Sequence, residues 1–116
     1  MPHQKILVGW TTVGSAETAE KLAATLVGTC LAACVIIDGP VTSHYHWDGR
    51  QQRSTEWRLW VKFPEDRASE IFAWLRGHHP YEVPQWIVVE ASSVSQPYEN
   101  WVVASTRHPF PQKSEA

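Results

Sequence analysis

Val41-Thr42-Ser43-His44-Tyr45-His46-Trp47-Asp48-Gly49 is the stretch on which the architecture turns. β-Branched and aromatic residues dominate it up to Trp47, which suits an extended, pleated segment. Asp48-Gly49 then supplies the pair that a type I′ turn demands, because both central positions of that turn need φ > 0. Beyond it, Gln51 to Phe63 alternates through Trp57, Leu59, Val61 and Phe63. The reading is a long hairpin. Upstream, the apolar run Leu31 to Ile37 is of strand type and meets the hairpin across Asp38-Gly39-Pro40. Pro40 has no N–H to give to a ladder, so it predicts an edge position or a bulge there.

Working outward, Lys5 to Thr12 is a short β-branched and aromatic run that reads as a buried strand. Ser15 offers an N-cap with Glu17 in the first turn, and Ala16, Ala19, Leu22, Ala23 and Leu26 recur at helical spacing up to Gly28. Pro64, followed by Glu65 and Asp66, opens a second helix in which Ala68, Ile71, Phe72 and Leu75 repeat at the same spacing to Gly77. The connector His78-His79-Pro80-Tyr81-Glu82-Val83-Pro84 comes next. Each of its prolines fixes its own φ and pushes the preceding residue out of the α region, so the helix must stop and the segment is rigid. Gln85 to Glu90 predicts a last strand, and Gln96 to Thr106 a closing helix with Tyr98, Trp101 and Val102 on one face. From Arg107 a loose tail is expected. The order β-α-β-β-α-β plus a terminal helix is an α+β, ferredoxin-like split β-α-β sandwich with a long hairpin. It forms one domain over residues 1–106, with 107–116 as tail.

The chain of 116 residues has length for one core, and 43% hydrophobic against 19% charged residues places it among compact globules rather than disordered segments. A formal charge of −2 leaves no basic excess to neutralise phosphates, so no nucleic-acid partner is expected. The longest apolar stretch is too short for a bilayer, and the N-terminal residues show no long apolar region of a signal peptide. A cytoplasmic location without membrane association follows as the expectation. Two cysteines make no disulfide framework, and both are expected as thiols. Seven tryptophans in so short a chain exceed what one core takes up, which predicts self-association.

The ordered set Cys30-Leu31-Ala32-Ala33-Cys34-Val35, Val41-Thr42-Ser43 with Tyr45, Trp47 and Gly49, and His79-Pro80-Tyr81-Glu82-Val83 resembles the CutA family of divalent-cation tolerance proteins, over roughly Ile6 to Thr106. The resemblance implies a non-enzymatic homotrimer involved in divalent cation tolerance, with hairpin edges paired around a three-fold axis. It also implies an intersubunit cleft lined by His79, Pro80, Tyr81, Glu82 and Val83. This chain departs from the family at Ile36, where an asparagine is usual; one donor and one acceptor are thereby lost from whatever that position faces.

Three groups carry chemistry. His44-x-His46 puts two imidazoles on one strand face, about 6.5 to 7 Å apart along the backbone. That spacing can clamp a copper, zinc or nickel ion, but two ligands without an evident third more often are exposed strand residues. Cys34 reads as a small buried hydrophobe, and Cys30, at the helix exit, as the better candidate for an accessible thiol and soft-metal ligand. In the connector, His79 and Glu82 read either as metal ligands and anchors of a cleft walled by Tyr81 and Trp86, or as partners for backbone groups that the prolines leave unpaired. The ligand cleft thus comprises His79, Pro80, Tyr81, Glu82, Trp86 and Cys34, and the metal candidates are His44, His46, Cys30, His79 and Glu82. A Gly-x-Ser-x-Gly elbow, a Walker loop and a Gly-x-Gly-x-x-Gly run are all lacking, and Glu56 and Glu90 have no evident carboxylate partner. The reading is therefore a metal-binding protein rather than an enzyme, with a PII-like small-molecule signalling trimer and a scaffolding trimer as alternatives.

Overall fold

The computed structural model describes residues 4–107. Four strands form one antiparallel sheet in the order β2-β3-β1-β4: β1 is Ile6–Val13, β2 Cys34–Trp47, β3 Arg50–Pro64 and β4 Ile87–Glu90. Helices α1 (Ala16–Gly28), α2 (Ala68–His78) and α3 (Gln96–Ser105) complete the split β-α-β arrangement. A short 3-10 turn, Glu65–Arg67, lies between Pro64 and α2, so the second helix begins later than its proline suggests. Among the described residues no helix is long and apolar enough to cross a membrane. The expected loose tail lies outside the described residues from position 108 onward.

The hairpin forms as its sequence dictates. Asp48 and Gly49 have φ of 56° and 73°, the positive pair of a type I′ turn. The ladder then runs from Trp47 opposite Arg50 back to Val41 opposite Glu56. Between Val41 and Asp38 the register slips: three steps along β2 match two along β3, from Glu56 to Arg58. This is the bulge that Pro40 requires, and β2 is also the edge strand.

The core lies between one sheet face and the first two helices. Leu7 and Val13 of β1 and Leu59, Val61 and Phe63 of β3 meet Leu22 and Leu26 of α1 and Ile71 and Leu75 of α2. Ser15 caps α1, its Oγ accepting from the Thr18 amide at 3.1 Å.

α3 packs on the second sheet face: Val102 clusters with Ala33 and with Ile6, which alternates with Leu7 of the helix-facing set. Arg67 donates to the Thr106 carbonyl at 2.9 and 2.6 Å, and Arg107 pairs with Asp66 at 2.9 Å, tying the end of α3 to the start of α2. Among the described residues the rest of this face stays open. Val8, Trp10, Ile36, Trp60 and Val89 line a shallow depression of about 430 Å³, in which Trp10 and Trp60 meet edge to face at 5.3 Å. The Trp10 indole N–H is buried there without an acceptor, an exception to the rule that buried donors are paired.

Candidate functional site

The connector after α2 passes the end of β1. β1 pairs with β3 only as far as Val13 opposite Trp57, so Glu56, the next residue outward, has no β1 neighbour. Tyr81 reaches this gap and donates its hydroxyl to Glu56 Oε2 at 2.7 Å, while Ser43 donates to Oε1 at 2.6 Å. Glu56 is only 7% exposed. Burial first, and then the bond to the Glu56 carboxylate, push the Tyr81 phenol well above its ordinary range, so it stays a donor.

His79 fixes the connector from its other end. The Tyr81 backbone N–H donates to Nδ1 at 3.1 Å, so the ring proton sits on Nε2. Nε2 in turn lies 3.1 Å from the Thr12 carbonyl and 2.9 Å from the Thr11 hydroxyl. Both ring nitrogens are therefore committed within the chain. Burial is the main cause that lowers its pKa from 6.5, with the bond to the Thr12 carbonyl acting against it. Protonation would set an Nδ1–H against the Tyr81 N–H. Because the folded-state pKa is depressed, the unfolded chain binds the proton more readily. The stability that neutral His79 contributes is complete above about pH 6.5 and is lost as pH falls through the folded-state value. Chemical denaturation at stepped pH should show stability declining below about 6.5, with that part of the decline absent in His79→Leu. Asp38 and Asp66, each lowered chiefly by an arginine hydrogen bond from Arg58 or Arg107, act only below the ordinary carboxylate range and do not overlap this window.

Hairpin and connector together enclose an open cavity of about 780 Å³. Ser43, Tyr45, Trp47 and Glu56 line it from the hairpin, and Pro80, Tyr81, Glu82 and Val83 from the connector. His44 lines it as well.

The other expected site residues are dispersed. His44 and His46 are exposed on β2 opposite Arg53 and Gln51, and neither ring makes a hydrogen bond among the described residues. Cys30 is a correction: it is 1% exposed, in a left-handed conformation (φ 61°) that closes the α1 exit and turns its thiol inward, so it is no accessible ligand. Cys34, expected buried, is the half-buried one, opposite Lys62 and away from the cavity. Trp86 is a second correction: it packs on the core, stacked on Phe63 at 6.1 Å, and lines no part of the cavity. Glu82 is exposed on the cavity wall. Among the described residues no three His, Cys, Asp or Glu side chains converge as a metal-ion site.

Glu56 and Ser43 are the site residues that sequence reasoning missed. Glu56 was weighed only for a carboxylate partner, which it lacks, and it alternates out of phase with Trp57, Leu59 and Val61. Nothing local signals that a phenol 25 positions away closes over it.

A family model described as CutA1 divalent ion tolerance protein matches residues 7–105. The divalent-cation tolerance protein CutA of Yersinia pestis (strain Pestoides F) is 30% identical over 103 residues, covering 89% of this chain and 87% of that protein. Among solved structures, CutA1 from Oryza sativa superposes with a TM-score of 0.86 at 30% identity, over 90% of this chain and 96% of that one. The divalent cation tolerance protein from Thermus thermophilus gives 0.84 at 32% identity, over 87% and 98%.

Proposed function

Because the chain belongs to the CutA1 divalent ion tolerance family, we propose that it is a non-enzymatic, cytoplasmic homotrimer that binds a divalent transition metal, copper first, in metal tolerance. The observation that carries this reading is the contrast between its histidines. His79 has both nitrogens occupied, whereas His44 and His46 stand exposed on one face of a paired strand with both rings free of hydrogen bonds among the described residues. Imidazole nitrogen is a good ligand for Cu(II) and Zn(II), and a strand held in a ladder presents i and i+2 with little freedom to lose. Two ligands make a weak site, and a third would come from water or from a neighbouring copy. The open half of the second sheet face supports assembly. Trp10, Trp60, Ile36 and Val89 line it beside Asp38 and Lys62, and the buried Trp10 indole N–H lacks an acceptor within the described residues.

Calorimetric titration of chelator-stripped protein with Cu(II) and Zn(II), beside light scattering for the mass, tests the proposal. About one ion per chain should bind, with copper tighter as the Irving–Williams order demands. His44→Ala/His46→Ala should abolish the heat, while His79→Ala/Glu82→Ala should leave it. A scattering mass equal to the 13.2 kDa chain alone would overturn the trimer.

A further inference from the structure

We propose that the cavity between the hairpin and the connector is a binding site for an organic cation, a primary ammonium or guanidinium group, received by Glu56 and Glu82 against the rings of Tyr45, Trp47 and Tyr81. His44 of the metal contact proposed above also lines this cavity, so the two readings are told apart by working without metal.

The charge of the lining carries the argument. Two carboxylates, Glu56 and Glu82, face the cavity, and among the described residues no lysine or arginine lines it. Glu56 is the decisive group. It is more than nine-tenths buried, and among the described residues no lysine or arginine is in ion-pair contact with it. A buried carboxylate is costly unless a positive charge or a full set of donors compensates it. Glu56 has one hydroxyl on each oxygen, from Ser43 and Tyr81, whereas a carboxylate offers about four acceptor positions. Half of its accepting capacity and all of its charge thus remain for a ligand.

The walls suit the same chemistry. Tyr45, Trp47 and Tyr81 are each between 37% and 46% exposed. Their π faces are negative, so they attract a cation and repel an anion. Tyr45 is held by its hydroxyl contact with Ser54 at 2.8 Å, and Tyr81 by Glu56 and by its backbone bond to His79, so two of the three rings are fixed before a ligand arrives. A volume of about 780 Å³ lies within the range of small-molecule sites. A metal ion fits this cavity less well. It needs three or more converging ligands, and no such group exists among the described residues, while an organic cation needs one carboxylate and an aromatic face.

The test is calorimetry on the assembled full-length protein in EDTA, with agmatine as the cationic probe, glutarate as the anionic probe and maltose as the neutral one. Agmatine should bind at about one per chain, weakening with added salt because the attraction is electrostatic. Glutarate and maltose should give no saturable heat. Glu56→Gln should weaken agmatine at least about tenfold while keeping an oxygen acceptor for one hydroxyl, and Glu82→Gln, at an exposed position that folding does not need, should weaken it about threefold. Absence of agmatine heat, binding of glutarate or maltose as tight as agmatine, or indifference to both glutamate substitutions would each overturn the proposal. The presence of EDTA keeps the result independent of whether the protein binds metal.

Discussion

Gly9→Ala lowers stability by about 3 kcal/mol, near the top of the range for adding one methyl group to a packed interior. Gly9 sits in the middle of β1, paired with Val61 on one side and Val88 on the other, so its backbone cannot shift without breaking two ladders. A Cβ there would overlap the Trp86 ring, lying 2.6 Å from Cζ3. The ring is held against Phe63, on which it stacks at an interplanar angle of 18°. Trp86→Leu removes the obstacle, and in that background Gly9→Ala should be neutral or slightly stabilising, as alanine is in a strand interior relative to glycine. Urea denaturation of the four proteins in this cycle should give a coupling energy of about 3 kcal/mol. Additive costs would show that Trp86 does not occupy the space over Gly9.

Glu56→Ala costs about 2 kcal/mol, because it leaves the Ser43 and Tyr81 hydroxyls without their acceptor in a half-buried place. Glu56→Gln should cost less than about 1 kcal/mol, since an amide oxygen still accepts and the loss of a buried charge offsets the lost bond. The connector should loosen in the alanine variant, with faster amide exchange around Tyr81. The phenol gives a second readout: without the carboxylate, Tyr81 should titrate closer to its ordinary pKa in either variant. Equal stability of wild type and Glu56→Ala would mean that the connector is held by His79 alone.

The hairpin was legible because its signals are local. Asp48-Gly49 specifies the turn, alternation through Trp57, Leu59, Val61 and Phe63 specifies the core face, and Pro40 specifies the bulge. Helical spacing likewise revealed α3 but not its layer, since an apolar stripe says that a helix must be covered and not by what. Cys30 read as accessible because it follows a helix. Its left-handed backbone, which glycine more often adopts at such an exit, turned it inward. Trp86 read as a cleft wall because it adjoins the connector, yet the missing side chain at Gly9 made room for it in the core. Gly9 and Phe63, the partners that decide where Trp86 sits, are distant in sequence. The same holds for Glu56, which is buried by Tyr81 and Ser43 rather than by its own strand neighbours.

Electron paramagnetic resonance of the Cu(II)-loaded protein, at less than one ion per chain, tests the central claim most directly. Imidazole nitrogens bound to Cu(II) split its signal, so the wild-type spectrum should show nitrogen coupling that disappears in His44→Ala/His46→Ala and persists in His79→Ala/Glu82→Ala. A spectrum of aqueous or oxygen-bound copper in the wild type, or nitrogen coupling that survives loss of His44 and His46, would contradict metal binding at the hairpin.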